Sequence, residues 1–222
     1  KRKIITRERG YHGVTVAAGA LTRLPANLAH FDAPLEALGI LRTDHPHYYR
    51  GAVAGESEAD FVARITANLE QLILREGPDT VAAFIAEPIT GASGVIVPPA
   101  GYYEKVQAIL DKYDILFWAD EVITGFGRTG KLFGCDTVNI REPDQMTFAK
   151  QLSSAYFPIS ASIIRGTIGS PSPTATRSAK GARGSGFRNI AAPPRITTGS
   201  RGPRSFARSG MPARRSTCST CR

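Results

Sequence analysis

The chain has 222 residues, 42% of them hydrophobic, enough for one substantial globular domain with an appendage. All 19 acidic residues lie between Glu8 and Asp144; 16 basic residues up to Ile164 leave that part at −3, whereas residues 165–222 hold 12 basic residues and no acidic one. Three cysteines exclude a disulfide framework in a chain of this size, and no apolar run is long enough to span a bilayer, so the expectation is a cytoplasmic protein without a membrane partner.

Lys1-Arg2-Lys3 precedes only a short apolar run, without the long apolar core or cleavage site of a secretory signal, and reads as the cut edge of a longer chain. Ile4-Ile5-Thr6 is β-branched and predicts a strand feeding a turn at Gly10-Tyr11-His12-Gly13. The small-residue stretch from Val14 to Leu21 predicts a buried helix, and from Leu24 to Gly55 the pattern reads as a long irregular connection. Ser57-Glu58-Ala59-Asp60 resembles a capping box with Asp in place of Glu. Phe61, Ile65, Leu69, Leu72 and Ile73 then recur at helical spacing up to Gly77-Pro78.

Thr80 to Ala86 is a continuous apolar run, as in a strand buried on both faces, and ends at Glu87-Pro88. A second helix follows Gly101, with Val106, Ile109, Leu110 and Tyr113 on one side. Ile115 to Ala119 predicts another buried strand, ending at Asp120-Glu121. A glycine-rich loop, Gly125 to Gly134, then leads to a shorter strand, Met146 to Ala149, ending at Lys150. Apolar strands alternating with helices indicate an α/β fold with a mainly parallel sheet, in which ligands sit at the carboxyl ends of strands. Glu87, Asp120 and Lys150 each stand directly after such a strand.

Past Ile164 the pattern changes abruptly to Arg, Ser, Pro, Gly, Thr and Ala, with no helical or strand period. Such a segment buries too little apolar surface to offset the entropy of ordering it. The expected division is therefore a domain at 1–164 and a basic low-complexity tail at 165–222, disordered or translated out of frame, since its residue types are those of GC-rich codons.

A lysine at the end of a buried strand suits imine formation with a carbonyl cofactor, and an acid held near a pyridine ring keeps the ring nitrogen protonated. Lys150 and Asp120 are candidates for these roles, and Tyr11 for stacking on the ring. Each has a plainer reading as well: a strand-end Asp as a helix cap, a Lys as a solvated charge, a Tyr beside Gly as a turn residue.

Four ordered blocks sharpen the choice. They are Tyr11-His12-Gly13; Phe84 to Ile89 continuing to Gly94; Phe117 to Val122 with Gly125-Phe126-Gly127-Arg128-Thr129-Gly130; and Thr147 to Lys150 followed by Leu152-Ser153-Ser154. Together they resemble the class III (ω-amino acid) aminotransferases across residues 1–164. The resemblance implies a partial large domain of the fold type I pyridoxal-phosphate-dependent transferases, pyridoxal 5'-phosphate as cofactor, no metal, and a homodimer for the intact protein. It further implies that catalytic Lys150 forms the Schiff base and that Asp120 pairs with the pyridine nitrogen. Val122 would pack on the ring face opposite Tyr11, and His12 would belong to the stacking turn in a structural or catalytic role. Glu87 matches an acid near the substrate pocket, or caps the turn at Pro88. The implied reaction moves an amino group from an ω-amino acid or amine to a keto acid such as pyruvate, and the substrate side of that inference rests on His45-Pro46-His47-Tyr48-Tyr49.

Two departures qualify the resemblance. Position 151 is Gln where the family has Gly, and the chain lacks both the Gly-Ser turn and the downstream Thr that grip the cofactor phosphate. One alternative is therefore an inactive fragment; another is nonspecific binding of anions or nucleic acid by the basic tail. A nucleotide hydrolase is disfavoured: Gly125 to Lys131 matches most of a phosphate-binding loop, but position 132 is Leu, and the acidic strand precedes the loop.

Overall fold

The computed structural model describes residues 1–29 and 38–166. In chain order the elements are β1 (Lys3–Arg7), α1 (Val16–Leu21), α2 (Pro25–Leu28), β2 (Ile40–Thr43), α3 (Tyr48–Gly51), α4 (Glu58–Glu76), β3 (Val81–Ala86), α5 (Tyr102–Lys112), β4 (Leu116–Asp120), α6 (Gly134–Thr137), β5 (Gln145–Phe148) and β6 (Ala161–Ile164). The six strands form one sheet in the order β2-β1-β3-β4-β5-β6. The first five are parallel, and β6 pairs antiparallel with β5. β1 lies between β2 and β3, so the winding reverses there, and such a switch point opens a crevice at the strands' carboxyl ends.

The two long helices follow from the sequence pattern. Ser57 Oγ accepts from Asp60 N at 3.2 Å and donates to the Asp60 carboxylate at 2.7 Å, which fixes the start of α4. Phe61, Ile65, Leu69, Leu72 and Ile73 are all buried, and the helix stops at Gly77, whose φ of 85° suits a residue without Cβ. α5 buries Val106 and Leu110, with Ile109 and Tyr113 partly covered, and its first turn buries Tyr102 and Tyr103 as well. Both helices share one apolar cluster with Ile5, Phe84, Phe117, Met146 and Phe148 from the sheet. β3 is covered on both faces, since the adjacent Phe84 and Ile85 are each buried.

Three segments depart from the sequence reading. Of the expected buried helix from Val14, only Val16–Leu21 is helical, and only Gly19, Ala20 and Leu21 are buried. Its last turn abuts the sheet, where Thr6 Oγ1 donates to Leu21 O at 2.8 Å, leaving Val14 and Val16 on the outside. The connection from Leu24 to Gly55 holds a strand and two single-turn helices, with residues 30–37 outside the described range. Its strand, β2, exists because Ile40 to Thr43 pair residue for residue with Ile4 to Arg7. β6 was not anticipated either; it pairs its whole length with β5, and Arg165 N extends the attachment by donating to Asp144 O at 2.8 Å. Of the tail expected from 165 onward, only residues 165 and 166 fall within the described range. Among the described residues no helix is long and apolar enough to cross a membrane.

The loop between α3 and α4 is fastened by one ion pair. Arg64 Nε donates to Glu56 Oε1 at 2.7 Å and Arg64 Nη2 to Gly51 O at 2.9 Å, while Glu56 Oε2 accepts from Val53 N at 3.0 Å. The Arg64 guanidinium holds the Glu56 carboxyl at about 2, below its ordinary value. A carboxylate depressed in the folded state stabilises the fold above its ordinary pKa, and that contribution disappears as the pH falls from 4.5 towards about 2. Urea unfolding should therefore separate wild type from Glu56→Gln at pH 7 and bring the two together near pH 2. For the core, Leu69→Ala should cost about 2–5 kcal/mol in the same assay. Leu74→Ala, on the exposed face of the same helix, should stay within about 0.5 kcal/mol.

Candidate active site

Parallel strands end on the same side, so β1, β3, β4 and β5 deliver their following residues to one edge of the sheet. Asp120 closes β4 opposite Thr147 of β5, and Lys150 begins the short 3-10 turn that follows β5. After β1 the chain turns through Gly10 to Gly13 and carries His12 across β3 to β4, where its Nδ1 lies 2.7 Å from Asp120 Oδ2. Both side chains are nearly buried, at 3% and 7% exposure. A carboxylate only accepts, so the Nδ1 of His12 carries the hydrogen. The other oxygen, Oδ1, accepts from Val122 N at 3.1 Å. Asp120 is thus fixed by donors from two segments, and each oxygen keeps a lone pair for a further donor.

Glu87 follows β3, and its two carboxylate oxygens go to separate turns. Oε1 accepts from Tyr11 N at 3.0 Å and Oε2 from Gly91 N at 2.8 Å. Of the two roles open to it, the geometry supplies the turn-capping one and extends it, since the carboxylate also ties the Tyr11 turn to the end of β3. Tyr11 and Val122 are half-buried.

Lys150 is exposed, and its backbone has a φ of 46°, uncommon for a side chain bearing a Cβ. Gln151, which stands where the family has Gly, is not among the positive-φ residues; the unusual backbone falls one residue earlier, on the lysine itself. Hydrogen bonds therefore link Tyr11 with Glu87 and both His12 and Val122 with Asp120, while Lys150 stands just past the neighbouring strand β5 with an exposed side chain. Arg128 is exposed in the glycine-rich loop. His45 lies past β2, where burial first, then the charges of Arg7, His47 and Arg9, push its imidazole down to about 3 and keep it neutral.

Two buried groups escaped the sequence reading. Glu121 is fully buried and accepts from Thr124 Oγ1, Gly134 N and Cys135 N at 2.5, 2.9 and 2.7 Å. This one carboxylate closes the loop from 122 to 134 beside Asp120. The closure demands glycine at 134, where a Cβ would stand 2.5 Å from Thr124 Cβ. Within the loop, Phe126 N and Gly127 N donate to Leu132 O, and the helix beyond it has four residues, so this stretch is not built as a phosphate-binding loop. The second group is Arg7, at the end of β1 and 1% exposed. The sole hint in the sequence was an arginine closing a β-branched run.

A model of the aminotransferase class-III family matches residues 1–182. The chain belongs to the class III aminotransferase family. Curated class III relatives include the probable gamma-aminobutyrate transaminase 2, mitochondrial, of Oryza sativa subsp. japonica, 56% identical over 164 residues, which are 74% of this chain and 32% of that protein. The gamma aminobutyrate transaminase 3, chloroplastic, of Solanum lycopersicum is also 56% identical over 164 residues, covering 31% of its length. Among solved structures, a transaminase with L-ala superposes with a TM-score of 0.73 at 57% identity, covering 76% of this chain and 39% of the other. The omega transaminase from Pseudomonas jessenii in complex with PMP gives 0.71 at 57% identity, covering 74% and 36%. The chain thus spans roughly a third of the length of these class III relatives. The six-stranded, mainly parallel α/β fold is the one these transaminases share over the matched part.

The residues present fit the pyridoxal cofactor of the class III family on its ring side. Asp120 offers an immobilised carboxylate with open lone pairs for a ring N–H, half-buried Tyr11 and Val122 supply apolar surface, and the Lys150 amine stands exposed on the neighbouring strand end.

The closure by Glu121 generates a test of the loop. In Glu121→Gln an amide NH2 replaces one acceptor oxygen, leaving a buried donor among Thr124, Gly134 and Cys135. Limited trypsin digestion should then cut after Arg128 or Lys131 about tenfold faster than in wild type, as expected for a loss of roughly 1–3 kcal/mol. An unchanged cleavage rate in a folded variant would show that the loop is held by other means.

Proposed function

We propose that this chain carries the ring-side half of a transaminase site, which moves an amino group from an ω-amino acid or amine to a keto acid such as pyruvate. The observation that carries the reading is the pair His12–Asp120, built from the ends of two non-adjacent strands, with Lys150 just past the end of the next strand, β5. The printed names of the relatives, gamma-aminobutyrate transaminases and omega transaminases, support the ω-amino substrate class.

Pyridoxal phosphate, when bound, supplies a carbonyl and an electron sink for the carbon that loses its proton. In this chain Asp120 would hold the hydrogen on the ring nitrogen, and the hydrogen bond from His12 Nδ1 would keep that carboxylate aimed. Tyr11 and Val122 would cover opposite ring faces, excluding water. Lys150 would provide the amine that binds the cofactor and moves a proton at its Nζ. Its exposed position on a strained backbone supports a group that must change partners during a reaction. Residues 1–164 would form the partial cofactor domain, residues 165–222 an appendage, and the intact protein a cytoplasmic homodimer.

The full chain should be incubated with pyridoxal phosphate, reduced with borohydride and mapped by mass spectrometry. A pyridoxyl group concentrated on Lys150, and absent from that peptide in Lys150→Ala, is the expected outcome. Label spread evenly over the surface lysines, with Lys150 no more modified than Lys131, would remove the reading for this chain.

A further inference from the structure

Arg7 is a buried cation without a carboxylate partner at hydrogen-bond distance among the described residues. Its Nη2 donates to Glu87 O at 2.7 Å and to Thr90 Oγ1 at 3.2 Å, and its Nη1 donates to Tyr103 Oη at 2.9 Å. Tyr103 Oη in turn donates to the same Glu87 carbonyl at 2.5 Å, and the guanidinium lies over the Tyr103 ring, 5.8 Å from its centroid. The Nε of Arg7 finds no acceptor.

Stability alone does not account for this arrangement. Desolvating a guanidinium costs several kcal/mol, and neutral acceptors return only part of it, so an apolar side chain of the same length would fill the space at lower cost. What the charge does secure is direction. Two strong donors converge on one carbonyl, at the residue whose carboxylate accepts from Tyr11 N and Gly91 N. The guanidinium fork also reaches Thr90, so the turn from 87 to 91 is held at Glu87 and at Thr90.

We propose that Arg7, with Tyr103, is a positioning residue that sets the Tyr11-His12 turn through Glu87. The path runs from the guanidinium to the Glu87 carbonyl, through the Glu87 side chain to Tyr11 N, and along one peptide unit to the His12 ring that donates to Asp120. Arg7 touches neither Tyr11 nor Asp120 in this scheme and acts by aiming Glu87. The proposal rests on the transaminase reading for its consequence at the cofactor, but not for its mechanical content.

The test uses the full chain as wild type, Arg7→Met, Arg7→Lys and Tyr103→Phe, with two readouts. Amide hydrogen exchange at Tyr11 and Gly91 reports the turn directly and needs no cofactor. Arg7→Met should speed exchange at both amides by about tenfold, and Tyr103→Phe by a few-fold, while the amides of β3 and β4 keep their protection, as expected when one or two buried hydrogen bonds are lost. The second readout is the visible circular dichroism of added pyridoxal phosphate with its dissociation constant. Arg7→Met should weaken binding by about tenfold and shrink the band, and Arg7→Lys, which keeps the charge but not the fork, should recover part of both. Unchanged exchange at Tyr11 and Gly91 in either folded variant would overturn the proposal, and if Arg7→Met does not fold, Tyr103→Phe decides alone. Variants that show the exchange pattern, together with a wild type that binds no pyridoxal phosphate, would count against the transaminase reading and leave the positioning role intact.

Discussion

The structure depends on one constraint: neighbouring parallel strands deliver their carboxyl ends to the same edge of a sheet. In an antiparallel meander the residues after β1, β3, β4 and β5 would alternate between opposite edges, and His12 could not reach Asp120. Parallel pairing requires long crossovers, which α4 and α5 provide between β2 and β3 and between β3 and β4. The apolar faces of these helices, around Leu69, Ile73, Val106 and Leu110, hold the strands in register and so set the site indirectly. The reversal of winding between β1 and β3 then opens the crevice that the Glu87 carboxylate bridges.

Charge is used sparingly at this edge, and each buried group has a geometric task. Asp120 takes donors from His12 and Val122; Glu121, its neighbour, points into the loop and closes it on Gly134 and Cys135; Glu87 binds two turns; Arg7 sits beneath them. Consecutive acidic residues at the end of β4 thus face opposite directions, as side chains leaving a strand do. One faces the candidate cofactor side and the other the scaffold, so one sequence dipeptide both equips the site and braces it.

Much of this was legible in the sequence, for identifiable reasons. Strands β3 and β4 were read to within a residue because runs such as Val81 to Ala86 are covered on both faces, and α4 because its cap and its apolar spacing agree. Asp120, Lys150 and Tyr11 stood out as strand-end or turn residues in ordered blocks. β2 and β6 were missed because four residues such as Ile40-Leu41-Arg42-Thr43 carry no period of their own; they are strands because β1 and β5 offer an unpaired edge. Arg7 and Tyr103 were missed for a similar reason. A terminal arginine and a helix tyrosine acquire their roles only when β1 is laid beside β3, and nothing local announces that adjacency.

The bridge through Glu87 has a consequence for how such a protein changes over generations. Residues 7, 11, 87, 91 and 103 are scattered over nearly a hundred positions, yet they behave as one jointed part. A replacement at any one of them meets the other four as its selective environment, so drift should proceed in compensated steps rather than singly. A lineage that replaced the arginine by an apolar side chain would be expected to carry a matching change at 87 or 103, and the pairing of those changes would record the mechanical joint in sequence form.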